Sequence, residues 1–375
     1  MTDPPRRVSR DDAVDLLRGF VMVLMALDHA RDFFGADASP LDLSRTTVPL
    51  FFTRWVTHLC APVFVLLAGV AARIAGTRRT PAELTRFLLS RGLWLVFLEL
   101  TVVRFGWLFN VDYRFSFVQV IWALGWSMVA LSVLTRFPLW VVAAVGGAQV
   151  LLHNAFDGVR AASFGSMGWL WRVLHDPGPL FPLEGRRVYI AYPLVPWMGV
   201  MALGFVMGGL WLRFELAERR RWLTRLGLGC LVVFLVLRVP NLYGDPHPWV
   251  VPSRVALTPL AVINAQKYPP SLAYLLMTLG PSLLALAWLS GKEARGAVAK
   301  VLVTFGRVPL FYYLLHLPLL HGMAALVKLA TGRSPGWSLP GVYAAWALGV
   351  AILWWPCRWF AGVKARRRDW WLSYL

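Results

Sequence analysis

The chain of 375 residues is 58% hydrophobic and 14% aromatic, holds 20 Trp, and carries only 15% charged residues at a net charge of +19. With a mean hydropathy of +0.58, this composition excludes a water-soluble globular domain and fits a bilayer as solvent. The basic residues sit in short clusters between apolar stretches, as in membrane loops, so no nucleic-acid partner is expected.

The first apolar segment runs over 14–34. Arg6, Arg7 and Arg10 before it, with Ala36-Asp37-Ala38 after it, sketch a cleavable signal peptide. Asp28, His29, Arg31 and Asp32 intervene before that box, so the segment is read as an uncleaved first helix. A spanning helix needs about 20 mostly apolar residues. Further candidates lie at 50–72, 88–109, 115–134, 139–152, 188–212, 226–240, 271–289, 301–330 and 341–360. The fifth and seventh are short, and the ninth is long enough to tilt or break.

Loop charge orients this set. Arg73, Arg78, Arg79, Arg86, Arg91, Arg136, Arg213, Arg219, Arg220, Arg221 and Arg225 fall on the side of the N-terminal arginines. Lys292, Arg295, Lys300, Lys364, Arg366, Arg367 and Arg368 join them if the count is ten. The sequence therefore predicts an all-α polytopic integral membrane bundle of about ten transmembrane helices with both ends in the cytoplasm. It reads as one domain over 1–375, with a tail at 1–12 and a basic aromatic tail at 364–375. Loops 153–187 and 241–270, on the opposite side, are long and rich in Trp, Pro and Gly; they either cap an acceptor site or anchor at the interface. Cys60, Cys230 and Cys357 lie apart in apolar runs and imply neither a disulfide nor a zinc site.

Ionisable groups inside a span are costly and mark functional candidates. Arg18 and His29 are eleven residues apart, which places them on one helix face roughly 16 Å apart along the axis. Asp15 lies one turn from Arg18 and can pair with it. Asp32 lies three residues after His29 and can hold an imidazole N–H, and Asp28 and Arg31 form a similar pair. A carboxylate-oriented His is a competent general base. Structural pairing within the bundle and ion or proton transport remain alternative readings of the same face.

Leu16-Leu17-Arg18-Gly19-Phe20 followed by Asp28-His29 resembles the opening of membrane acyltransferases. Pro62 to Gly69, Tyr192-Pro193-Leu194-Val195-Pro196-Trp197, Lys267-Tyr268-Pro269-Pro270-Ser271 and Phe305-Gly306-Arg307 through His316 extend the match. In order and spacing they resemble bacterial proteins with the heparan-alpha-glucosaminide N-acetyltransferase catalytic domain, over nearly the whole chain. The resemblance implies a membrane-embedded acyltransferase of a bacterial inner membrane. It would carry an acetyl or acyl group from cytosolic acetyl-CoA or another acyl-CoA to an extracytoplasmic amino sugar or glycan, without a metal. His29 would be general base or acyl carrier, with Asp32 and Asp28 beside it. Arg18, Arg91 and Arg307 would hold the donor phosphates, although the last two also suit plain loop orientation. Asn264, Lys267, Tyr268 and His316 would line the acceptor side. The histidine implicated in that family lies in the loop after the first helix, and loop 35–49 here has none; His58 is a second candidate. His316 and His321 are five apart and do not form a metal pair. The expected partners are the bilayer and a small-molecule or glycan acceptor, with a homodimer left open. The rival class is a small-molecule or proton-coupled transporter, for which a break near Gly306 and Pro309 would be the pointer. An inactive scaffold is the third.

Overall fold

The computed structural model describes residues 12–36, 39–180, 185–367 and 369–375. Arg6, Arg7, Arg10, most of the Ala36-Asp37-Ala38 box and Arg368 lie outside the described residues.

Helix α1 (Asp12–Phe34) is followed by α2 (Val48–Trp55), which runs through a tight turn at Val56–Leu59 into α3 (Cys60–Gly76). Thr47 caps α2. At the other end of α3, a capping box of Thr80 and Glu83 starts α4 (Pro81–Leu98), where Pro81 needs no N–H partner. A wide π turn at Glu99–Val103 joins α4 to α5 (Arg104–Leu108). Next come β1 (Phe115–Val118), α6 (Val120–Leu134), α7 (Leu139–Leu152), α8 (Gly168–Leu174), β2 (Gly178–Pro179) and β3 (Arg187–Ile190). The chain continues through α9 (Val195–Met207), α10 (Gly209–Arg213), α11 (Leu216–Arg238), α12 (Thr258–Ile263) and α13 (Leu272–Leu289). It closes with α14 (Gly296–Arg307), α15 (Pro309–Thr331) and α16 (Leu339–Arg366).

This is an all-α polytopic bundle with one small sheet. Among the described residues, six helical stretches are long and apolar enough to cross a membrane: Val48–Gly76, Leu139–Phe156, Val195–Arg213, Leu272–Leu289, Pro309–Thr331 and Leu339–Arg366. Helix α1 is 23 residues long and is kept out of that set by its charges. The outer faces of α11 and α16 expose Val232, Val236, Leu348, Trp355 and Trp359, an apolar coat that water would not tolerate and lipid would.

Three expected boundaries shift. Residues 115–118 form a strand ahead of α6, because Ser116 and Val118 point inward while Phe115 is exposed. Residues 187–190 pair with it in parallel, Val118 opposite Ile190, and β2 adds antiparallel to β3. The ninth segment breaks at Val308, which leaves helical geometry between α14 and α15. Ahead of this break α14 seats closely on α1. A Cβ on Gly19 would fall 1.8 Å from the Leu302 carbonyl oxygen, and one on Gly306 would fall 1.9 Å from that of Asp15. Only glycines allow the two backbones this close, the small-residue packing expected between membrane helices.

Candidate active site

Helix α1 packs against α3, α13, α14, α15 and α16, so its charged face is turned into protein. At its first turns Asp15 reaches Arg18 at 3.6 Å, and Arg18 donates to the Gly306 carbonyl at 3.2 Å. Arg307 pairs with Asp12 at 3.4 Å and lies 3.8 Å from Asp15. At the last turns His29 Nδ1 lies 3.4 Å from Asp32 Oδ2, while Arg31 contacts Asp28 at 3.3 Å and Asp32 at 2.5 Å. The two charged groups expected at opposite ends of one helix are therefore present, with the expected pairings.

Tertiary structure adds partners that spacing could not supply. Arg54, from α2, forms a close ion pair with Asp28. Trp107, carried inward by the π turn and α5, packs edge-on to His29 at 4.8 Å between ring centres, and the His316 ring lies at 5.2 Å. His316 Nδ1 is 2.6 Å from the Tyr313 carbonyl. A carbonyl only accepts, so a neutral His316 carries its proton on Nδ1 and presents Nε2 as a lone pair. That Nε2 is buried with no partner among the described residues.

His29, Asp28, Arg31, Asp32 and Arg54 line a cavity of about 80 Å³, whose wall also includes Gln119, Lys267 and Tyr268; Trp107 and His316 stand behind His29, outside that wall. The sheet delivers part of that wall: Val118 and Ile190 are paired, and Gln119 and Tyr192 follow them at the same edge. His29 aside, the cavity wall carries three cations, Arg31, Arg54 and Lys267, against the carboxylates of Asp28 and Asp32. An excess of positive charge in a small buried space suits a negative charge that develops on an oxygen. Burial alone would raise the Tyr268 phenol, but Lys267 and Arg54 beside it leave it below its ordinary value.

A second cavity of about 300 Å³ lies along the inside of α1. It is apolar for most of its length, with Arg18 and Arg91 at one end and Phe64, Val120 and Tyr313 at the other. Phe64 and Val120 also line the His29 cavity. A third hollow of about 170 Å³, between Asp157, Arg160, His175, His247, Gln266 and Tyr268, meets the His29 cavity at Tyr268. Within it His175 pairs with Asp157 at 3.2 Å, and Asp176 takes Arg172 at 2.9 Å. The three spaces follow one another, joined by shared walls.

Of the residues expected from sequence, His29, Asp28, Asp32, Lys267 and Tyr268 line the central cavity, and Arg18 and Arg91 line the apolar one. Arg307 lines neither and stays with Asp12 and Asp15; His316, expected on the acceptor side, lines none of the three spaces and is buried against the His29 ring instead. Asn264 faces away, donating to the Leu41 carbonyl at 3.0 Å. His58 is buried against Tyr274, and its ring nitrogens have no partner among the described residues. His321 stacks on Phe109 at 3.9 Å and bonds the Gly106 carbonyl. Among the described residues no three His, Cys, Asp or Glu side chains gather as metal ligands do. Sequence reasoning passed over Arg54, Gln119 and Trp107, and noted Tyr192 only within its motif, without a place in the site. Arg54 had a readable signal, a lone charge within an apolar segment.

Arg54 also gives a stability test. Arg54→Met leaves Asp28 buried with one cation fewer and should cost about 3 kcal/mol. Asp28→Asn together with Arg54→Met should recover most of that loss. Thermal unfolding in detergent reads both, and equal melting of the single variant and the parent would discount the pair.

Residues 10–241 match the model of a family described as heparan-alpha-glucosaminide N-acetyltransferase, catalytic. No curated protein matches the chain. The matched stretch includes Arg18, His29, Arg54, Arg91, Gln119 and Tyr192; Lys267, Tyr268 and His316 lie beyond it.

Proposed function

Because the chain belongs to the heparan-alpha-glucosaminide N-acetyltransferase catalytic family, we propose that it takes an acyl group from acyl-CoA at its Arg18 end. The acceptor is an amine or hydroxyl of an amino sugar or glycan presented at its Tyr268 end. One observation carries this reading: the apolar cavity, the His29 cavity and the Tyr268 hollow share walls in series. A donor entering past Arg18 and Arg91 would bring its thioester to the partition of Phe64 and Val120, beside His29.

In the proposed step the acceptor nitrogen or oxygen bonds to the thioester carbonyl carbon while the carbon–sulfur bond breaks. His29 takes the acceptor's proton, which then passes to the leaving thiolate. Asp32 holds His29 at Nδ1 and leaves Nε2 as the basic nitrogen. Arg54 and Lys267 supply positive charge for the oxygen that becomes negative. The basic loops support a cytoplasmic Arg18 end, where acyl-CoA is found, and a bacterial plasma membrane is the setting this reading takes. Nothing in this chemistry calls for a metal.

The test is thioester turnover by the purified protein in nanodiscs, with acetyl-CoA and a panel of amino sugars. Thiol release that depends on an acceptor supports the reading. Absence of turnover with every acceptor, joined to absence of acetyl-CoA binding, removes it. Arg91→Gln should raise the donor KM about tenfold and leave kcat nearly unchanged, since a charge-assisted contact remote from the carbonyl binds ground and transition states alike. An unchanged KM would take Arg91 out of the donor site.

A further inference from the structure

Residues 369–375 take no part in the proposed chemistry, yet one of them lines the apolar cavity. The order of lining residues along the helices shows where. On α1 the wall runs from Arg18 to Met22, on α3 from Ala75 to Phe64, and on α4 from Phe87 to Leu95. Met22, Phe64 and Leu95 lie toward His29, so Arg18, Ala75 and Phe87 mark the far mouth. Tyr374 sits at that mouth beside Arg91, whose guanidinium is 5.9 Å from its ring.

After α16 the chain turns back and forms a short helical turn over Trp370–Tyr374. The turn is fixed to α4 by two bonds, Ser90 Oγ to the Tyr374 hydroxyl at 2.9 Å and Trp94 Nε1 to the Tyr374 carbonyl at 3.2 Å. Lys364 of α16 donates to the Leu375 carbonyl at 2.7 Å. Leu372 is buried, while Trp370 is 79% exposed. One face of the turn is thus sealed to the protein and the other is exposed, presenting a Trp of the kind that favours a lipid–water boundary. The attachment is these polar bonds and the burial of Leu372 and part of Leu375 against the core, a small contact for a short segment, the kind of local structure that opens without global unfolding.

We infer that residues 369–375 form a lid over the donor mouth, and that Tyr374 helps select the donor that passes. The lid rests on the donor reading above for its ligand, but its movement can be measured without turnover. Ala72 is buried and lines the cavity, so Ala72→Cys reports access to it. Maleimide modification at position 72, located by peptide mass spectrometry so that the native cysteines can stay, is compared with and without residues 369–375.

Removal of the segment should speed labelling at 72 by about tenfold or more, as expected when a closed local state is abolished. In the same preparation the acetyl-CoA KM should rise about fivefold or more while kcat stays within about twofold, the mark of lost donor binding rather than lost chemistry. Tyr374→Ala should repeat both effects, and Tyr374→Phe, which keeps the ring beside Arg91, should retain most of the donor affinity. Unchanged labelling after removal overturns the lid. Faster labelling in a protein that turns over no thioester supports the lid and counts against the donor reading alone.

Discussion

His29→Ala should lower acyl transfer by about 100-fold to 10,000-fold, the usual worth of a positioned general base, while the protein remains folded. What His29 gives the fold is modest: edge packing on Trp107, a ring contact with His316 and a 3.4 Å approach to Asp32. Detergent melting should therefore move little, and acetyl-CoA should still bind, because Arg18 and Arg91 lie at the other end of the apolar cavity. Single-turnover kinetics with saturating donor separates the chemical step from binding. Full activity in His29→Ala would dismiss it as the base. If His316→Gln were then inactive, the role would pass to the neighbouring ring, 5.2 Å away, whose Nε2 is buried without a partner among the described residues.

A large effect on stability is also expected at the seam between α1 and α14. Alanine normally improves a helix over glycine by up to about 1 kcal/mol. At Gly306 the sign should reverse, because the new methyl would sit 1.9 Å from the Asp15 carbonyl oxygen, a backbone atom that cannot swing aside. Gly306→Ala should cost about 3 kcal/mol, the upper end for forcing extra volume into a packed site. Gly229, inside α11, is the control, since a Cβ there meets nothing within 4 Å. Gly229→Ala should be neutral or stabilising. Equal behaviour of the two variants would mean that α14 can slide freely on α1. The effect should extend to the donor, because the Gly306 carbonyl holds Arg18; a rise in donor KM together with the loss of stability is expected.

Much of this architecture was legible because lipid imposes long apolar runs with charged punctuation. The first, fifth and eighth expected segments fall on single helices within a few residues of their expected bounds; the second covers the continuous stretch of α2 and α3, and the tenth lies within the longer α16. The pairings inside α1 were legible too, since helix geometry alone joins residues three apart. What local pattern could not show was everything set by packing. The strand at 115–118 merged into an apolar run, because a short inward-facing strand and a buried helix look alike in composition. Arg54 meets Asp28 from 26 residues away, and Trp107 reaches His29 only because the π turn re-aims α5. Arg307 carried the right charge near the right end, but Asp12 and Asp15 claim it. Asn264 carried the right chemistry next to Lys267, but a backbone bond to Leu41 turns it away.

The partition of Phe64 and Val120 between the first two cavities has an electrical meaning. A membrane that stores energy as a difference in ion concentration and voltage loses that store through any continuous wet path. Here the two cavities share an aromatic ring and a branched aliphatic side chain in their walls, surfaces that give hopping protons and hydrated cations no foothold. An acyl group handed across such a wall crosses as a bonding change between two reactants, neither of which makes the crossing. The bundle would thus connect two compartments chemically while remaining an insulator, with no cycle of opening and closing needed to protect the potential across it.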